Sequence, residues 1–120
     1  MRSVTCLMLV LCVAMVTACR QDEPLSGAVL KVYRSDGSRQ CEPGGISLEE
    51  MRETLARAGI PVLCAQTGSD GRMHAAVCGG STGRLNIYTI PAEYLQQAES
   101  RGFAPVSGLN GYRDETCHSQ

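Results

Sequence analysis

The sequence predicts a small α+β domain, an antiparallel sheet with two helices on one face, held by disulfides. Three observations carry that expectation. Strand-like runs and helical stripes alternate over residues 27–120. Two helical patterns end alike, in Gly59-Ile60-Pro61-Val62 and in Gly102-Phe103-Ala104-Pro105-Val106, and each follows one strand and precedes another. Four cysteines, Cys41, Cys64, Cys78 and Cys117, fall in this region, an even number that reads as two bridges.

Residues 28–33 form the first expected strand, bounded by Gly27 and by the turn formers Ser35-Asp36-Gly37-Ser38. Residues 39–46, with Cys41, Pro43, Gly44 and Gly45, read as a loop that a disulfide can pin. Ser47-x-x-Glu50 is a capping box, with Ile46 placed to staple onto Met51. Leu48, Met51, Leu55 and Ala58 recur at helical spacing, Glu53 and Arg57 form a supportive i,i+4 pair, and Gly59 is a natural C-terminal cap. A strand is expected over 60–66, a hairpin turn at Gly68-Ser69-Asp70-Gly71, and a returning strand over 74–78. Gly79-Gly80-Ser81-Thr82-Gly83 interrupts it, and residues 85–90 resume in strand-like composition. Residues 73–90 read either as one bulged strand or as two strands around the glycines; two are favoured, making five in all. Pro91 suits a helix start, Leu95 and Ala98 give its buried stripe, Gly102 ends it, and residues 103–106 form a last short strand.

The doubled strand–helix–strand resembles the split βαβ pattern of ferredoxin-like domains, here βαββ(β)αβ. At the level of fold alone it is also similar to SPOR peptidoglycan-binding domains, although no SPOR motif matches residue by residue. Four cysteines allow three disulfide connectivities. A three-residue Asp70-Gly71-Arg72 loop would set Cys64 opposite Cys78, which favours Cys64–Cys78 with Cys41–Cys117. Cys41–Cys64 with Cys78–Cys117 is the next expectation, because the loop before the first helix and the end of the second strand share one end of such a sheet.

The N-terminus carries a different kind of information. Arg2 precedes an apolar run over 4–16, interrupted only by Thr5, and the run ends in Val16-Thr17-Ala18-Cys19 before the polar Arg20-Gln21-Asp22-Glu23. A membrane-spanning helix needs about 20 apolar residues, more than this run supplies, so cleavage is expected rather than spanning. Val16-Thr17-Ala18-Cys19 resembles the lipobox of bacterial lipoproteins. That resemblance implies removal of residues 1–18, lipidation of Cys19, and a membrane anchor whose acyl methylenes contribute roughly 0.8 kcal/mol each. Arg20 after the cysteine, rather than Asp, resembles outer-membrane sorting, with the domain facing the periplasm. Residues 19–26 then form a lipidated tether of roughly 15 Å reach, and 27–120 the single domain. The same reading settles the cysteine arithmetic: of seven, Cys6 and Cys12 leave with the signal and Cys19 takes lipid, so four remain for bridges in an oxidising compartment.

Taking the 18-residue signal from 120 residues leaves 102, one domain's worth, with 10 basic and 12 acidic side chains and a net charge of −2. No basic patch points to nucleic acid. Aromatics are Phe103, Tyr33, Tyr88, Tyr94 and Tyr112, with no Trp, few parts for a groove that stacks bases or sugars. No cofactor motif is present, and neither the close Cys/His pairs of a zinc site nor Cys-x-x-Cys occurs.

Candidate chemistry is sparse. Gly79, Gly80, Ser81, Thr82, Gly83 and Arg84 form a candidate anion-binding loop, since successive N–H groups with a nearby Arg can cradle a phosphate; the Gly-Lys-Ser/Thr ending of a P-loop is missing, and a plain turn is the simpler reading. His74 and Asp70 could pair as acid and base across the hairpin. Glu49, Glu50 and Glu53 cluster on the first helix, where capping and the helix dipole already explain them. Ser81 and Ser107 lie in no Gly-x-Ser-x-Gly elbow. The expected function is therefore a membrane-anchored, non-catalytic envelope module that binds a protein partner or the cell wall. Inhibition of a lytic or proteolytic enzyme, and a thiol-redox or metal role for the cysteines with His74 or His118, are the alternatives.

Overall fold

The structure is a computed structural model and describes residues 27–117. The expected signal, Cys19, the tether up to Ser26, and His118 lie outside the described residues. The elements are β1 (Val29–Ser35), α1 (Leu48–Arg57), β2 (Cys64–Ser69), β3 (Arg84–Pro91), a 3₁₀ turn (Ala92–Tyr94) running into α2 (Leu95–Glu99), β4 (Ala104–Pro105), a second 3₁₀ turn (Val106–Gly108) and β5 (Arg113–Asp114). They build an α+β domain around one five-stranded sheet of order β4-β1-β3-β2-β5, antiparallel at every pairing. β1 and β2, joined through α1, therefore lie on either side of β3.

Local signals set the helix ends. Ser47 Oγ accepts from the Glu50 N–H at 3.2 Å, satisfying one orphan donor of α1, and Glu53 ion-pairs Arg57 at 2.8 Å. Gly59 adopts φ +75°, where its N–H bonds the Ala56 carbonyl and the Ile60 N–H bonds that of Leu55, with Ile60 and Leu55 both buried. The same closure recurs after α2: Gly102 has φ +85°, its N–H bonds the Glu99 carbonyl, and the Phe103 N–H bonds that of Ala98. The two similar sequence endings are two copies of one capping motif.

Both helices pack on the same sheet face. Met51 and Leu55 from α1 and Ala98 from α2 join Val32, Ala65, Tyr88, Ile90, Ile60 and Phe103 in one buried cluster. The Tyr88 hydroxyl donates to the Leu48 carbonyl at 2.6 Å, and its ring meets Phe103 edge-on at 5.8 Å. Burial, reinforced by the Glu49 charge and opposed by Arg52, raises the phenol's pKa above its ordinary value.

The other face has no helix, yet Leu85, Ile87 and Gln66 are buried there. Register places them on one side with Lys31, Cys64 and Gly68. The C-terminal segment covers this side. A Cβ on Gly68 would run into the Arg113 carbonyl and Ile87 Cδ1, the Glu115 N–H bonds the Thr67 carbonyl at 2.9 Å, and Lys31 reaches Asp114 at 2.6 Å. The hydrogen bond to Asp114 holds the Lys31 pKa above its ordinary 10.5 against the opposing effect of burial.

Several expectations are corrected. Residues 74–78 are not a strand: β2 runs to Ser69, the Asp70 N–H bonds the Gly83 carbonyl at 2.9 Å, and the chain between them leaves the sheet. Residues 73–90 thus contain one strand, β3, and the fifth strand is β5 from the C-terminal segment. β2 begins at Cys64 rather than at residue 60, after Pro61, and β1 extends two residues past Tyr33. Both disulfide expectations fail: the bonds are Cys41–Cys78, with Cα atoms 5.0 Å apart, and Cys64–Cys117, at 5.8 Å. The reason is the missing return strand. Cys64 pairs with Thr89 in the sheet, and it faces the side where the C-terminal segment runs.

Candidate functional site

Two loops meet at the end of the sheet where β1 finishes and β3 begins, residues 36–46 and 70–83. They are stitched together by backbone. The Gln40 N–H bonds the Gly80 carbonyl at 2.8 Å, the Gly79 N–H bonds the Gln40 carbonyl at 2.9 Å, Arg39 and Ser81 form a bridge, and Cys41–Cys78 adds a covalent link. Cys41 sits at φ +65°, a left-handed backbone that a non-glycine residue holds only when its surroundings over-determine it.

Beneath this seam, Asp36 is buried at 6 % exposure and anchors the turn. Its carboxylate accepts from the Ser38 N–H and hydroxyl at 2.8 and 2.6 Å, and Arg84 Nε lies 3.6 Å away. Ser38 Oγ in turn hydrogen-bonds Thr82 Oγ1. In the sequence Asp36 and Ser38 read only as turn formers; their Asp-x-Ser spacing is the local signal for this side-chain-to-backbone closure.

Five of the six N–H groups of the candidate anion loop are bonded within the fold. The N–H of Gly79 bonds Gln40, that of Gly80 bonds Val77, that of Thr82 bonds Ser38, that of Gly83 bonds Ser81 Oγ, and that of Arg84 bonds Thr82 Oγ1. A phosphate cradle needs such groups free and convergent. Arg84 keeps an exposed side chain beside Asp36.

His74 and Asp70, in contrast, are brought together. His74 Nε2 lies 3.0 and 2.9 Å from the two carboxylate oxygens, and Asp70 Oδ1 also accepts the Arg72 N–H at 2.9 Å. The pair lies over Gly83, whose φ is +73° and whose Cβ, if present, would collide with the imidazole. Burial pushes the Asp70 carboxyl up, but the Arg72 and His74 hydrogen bonds and the nearby charges outweigh it, so its pKa falls below the ordinary 3.8. A depressed pKa stabilises the fold fully above 3.8 and less as pH drops through the lower folded value. Asp70→Asn is therefore expected to cost about 1 kcal/mol near neutral pH and to flatten the acid limb of stability below about pH 4. Urea unfolding across that range checks it, and an unchanged acid limb would refute the assignment.

The other candidates stay apart. Glu49 and Glu53 pair with Arg52 and Arg57 on α1, Glu50 donates its N–H to Ser47, and Ser107 lies in the second 3₁₀ turn. A groove of about 380 Å³ beside α1, lined among others by Glu49, Arg52, Ile60 and Val62, uses its charges on the 3.6 Å Arg52–Glu49 pair. Among the described residues no three His, Cys, Asp or Glu side chains gather as a metal would require, and the four cysteines there are all bonded to one another.

Sequence reasoning missed the most conspicuous surface of this end. Met73 is 102 % exposed and Val77 62 %, both on the pinned loop. Comparison with protein-family models, curated proteins and solved structures finds no match.

Proposed function

We propose that this chain is a lipid-anchored protein of the bacterial cell envelope whose disulfide-stapled domain is a non-catalytic binding module, held at the outer membrane and facing the periplasm. The observation that carries the reading is the pair of disulfides, spanning 37 and 53 residues. Such bonds persist in oxidising compartments, where the Val16-Thr17-Ala18-Cys19 resemblance would deliver the chain. No helix of the described residues is long and apolar enough to cross a membrane, so in this reading the anchor is the acylated Cys19. Over the β1-to-β4 part, we further read the domain as a variant of the ferredoxin-like arrangement. The β4-β1-β3-β2 order supports this, while the added β5 and the two-residue β4 depart from it.

The geometry suits presentation. The tether would enter at Gly27, just before β1, and β1 carries the chain about 20 Å along the sheet to the end where the two loops meet. That end would face away from the anchoring surface. The test is lipid labelling and fractionation of the full chain: the protein should take up radiolabelled palmitate and sediment with membranes, and Cys19→Ala should abolish both. A Cys19→Ala chain that still sediments with membranes would overturn the anchoring.

A further inference from the structure

We infer that the loop over residues 72–77 is the docking element of this domain, and that its partner is a protein offering an apolar pocket with a carboxylate at the rim. The inference rests on the reading of the chain as an anchored binding module. Its starting point is a conflict between exposure and order. Met73 and Val77 leave apolar surface in water, which folding normally removes at about 25 cal/mol per Å². Yet the loop is fixed at both ends. On one side His74 is held by Asp70 and packed over Gly83; on the other Cys78 is bonded to Cys41. Between them the Val77 N–H bonds the Ala75 carbonyl at 2.8 Å, and the Val77 carbonyl accepts the Gly80 N–H at 3.0 Å. A loop held at both ends has less entropy to lose on docking than a free one.

The side chains define what fits. Met73 is unbranched and polarisable, a side chain that adapts to narrow pockets. Ala75 and Ala76 are both exposed and small, so the walls of a pocket can close around Met73 without obstruction. Arg72 precedes it, exposed and in no salt bridge among the described residues, so its guanidinium is open to a carboxylate beside the pocket.

Two other occupants fit less well. In the anchored reading the bilayer would lie toward the opposite end of β1, since the described residues start at Gly27, just before that strand. A second copy meeting the loop with its own loop about a twofold axis would bring two unpaired Arg72 charges into one interface.

The test uses the full, lipidated chain in its native membranes with a photo-crosslinking amino acid at Val77. A control carries it at Glu93, which is exposed in the 3₁₀ turn at the far end of β3. The expected result is one discrete protein adduct from Val77 and none from Glu93. Met73→Asp should abolish the adduct and Met73→Leu retain it, with unfolding midpoints matching the parent because Met73 is fully exposed. The adduct protein, once purified, should bind the chain about tenfold or more weaker with Met73→Asp, as loss of one buried apolar anchor implies. A Val77 adduct with lipid, with a second copy, or with a protein whose affinity ignores Met73 would overturn the inference. Adducts from Glu93 with none from Val77 would overturn it too while leaving a binding module standing, and silence at both sites would count against both readings.

Discussion

Replacing Cys64 and Cys117 together by Ala is expected to cost the domain about 4 kcal/mol, the loop-closure entropy that a bond spanning 53 residues removes from the unfolded chain. Against a total of roughly 5–15 kcal/mol for a domain, that is a large fraction. The loss should be concentrated in one place. β5 contributes only the pairs Gly68↔Asp114 and Ser69↔Arg113, so with the bond gone the C-terminal segment is held by these, by Glu115 with Thr67, and by Lys31 with Asp114. The surface ion pair adds at most about 1 kcal/mol. Release of the segment would bring water to Ile87 and Leu85. Urea unfolding measures the total, and hydrogen exchange should show residues 109–117 exchanging first. A destabilisation under about 1 kcal/mol would mean that the segment is seated by packing and that the bond is incidental. The Cys41–Cys78 bond closes 37 residues, so its loss should cost only a few tenths of a kcal/mol less.

Leu55→Ala should be comparably severe, at about 2–5 kcal/mol. Leu55 has no exposed surface and lies in the cluster where α1 meets the sheet with Val32, Met51, Ile60, Tyr88 and Ile90. Its backbone carbonyl, which Ala would keep, receives the Ile60 N–H that closes the helix, so the expected loss is one of packing. Arg57→Ala on the opposite face is the control, with an expected change within about 0.5 kcal/mol because it removes only an exposed i,i+4 pair. Thermal or urea unfolding separates the two, and equal effects would contradict the placement of the core.

What could be read from the sequence divides along the range of the interactions. α1 was legible almost residue by residue because its Ser47 cap, apolar stripe, Glu53–Arg57 pair and Gly59 terminus are all local. Gly102 marked the second helix end for the same reason. Met73 to Cys78 misled because an apolar run of medium length has strand composition, while strand formation depends on a free neighbouring edge; β3 already pairs with β1 and β2. β5 was invisible, since Arg113-Asp114 has no pattern and pairs only because the chain is laid against β2. The disulfide partners followed those two errors. At the candidate site, His74 and Asp70 read as a pair across a hairpin; they do meet, but within one loop, since residues 74–78 form no returning strand. The exposure of Met73 could not be read, because it depends on which segment the loop turns away from.

The two disulfides overlap along the chain, Cys41 to Cys78 and Cys64 to Cys117, so each bond straddles one end of the other. One proteolytic cut anywhere between Cys41 and Cys117 therefore leaves both pieces covalently tied. A nicked molecule would run as one band on a gel without reductant and as two with it. Where the chain is lipid-anchored, clipping a loop would not by itself shed either half from the membrane, and the apolar loop over residues 72–77 would stay tethered at its post after damage that frees part of an ordinary domain.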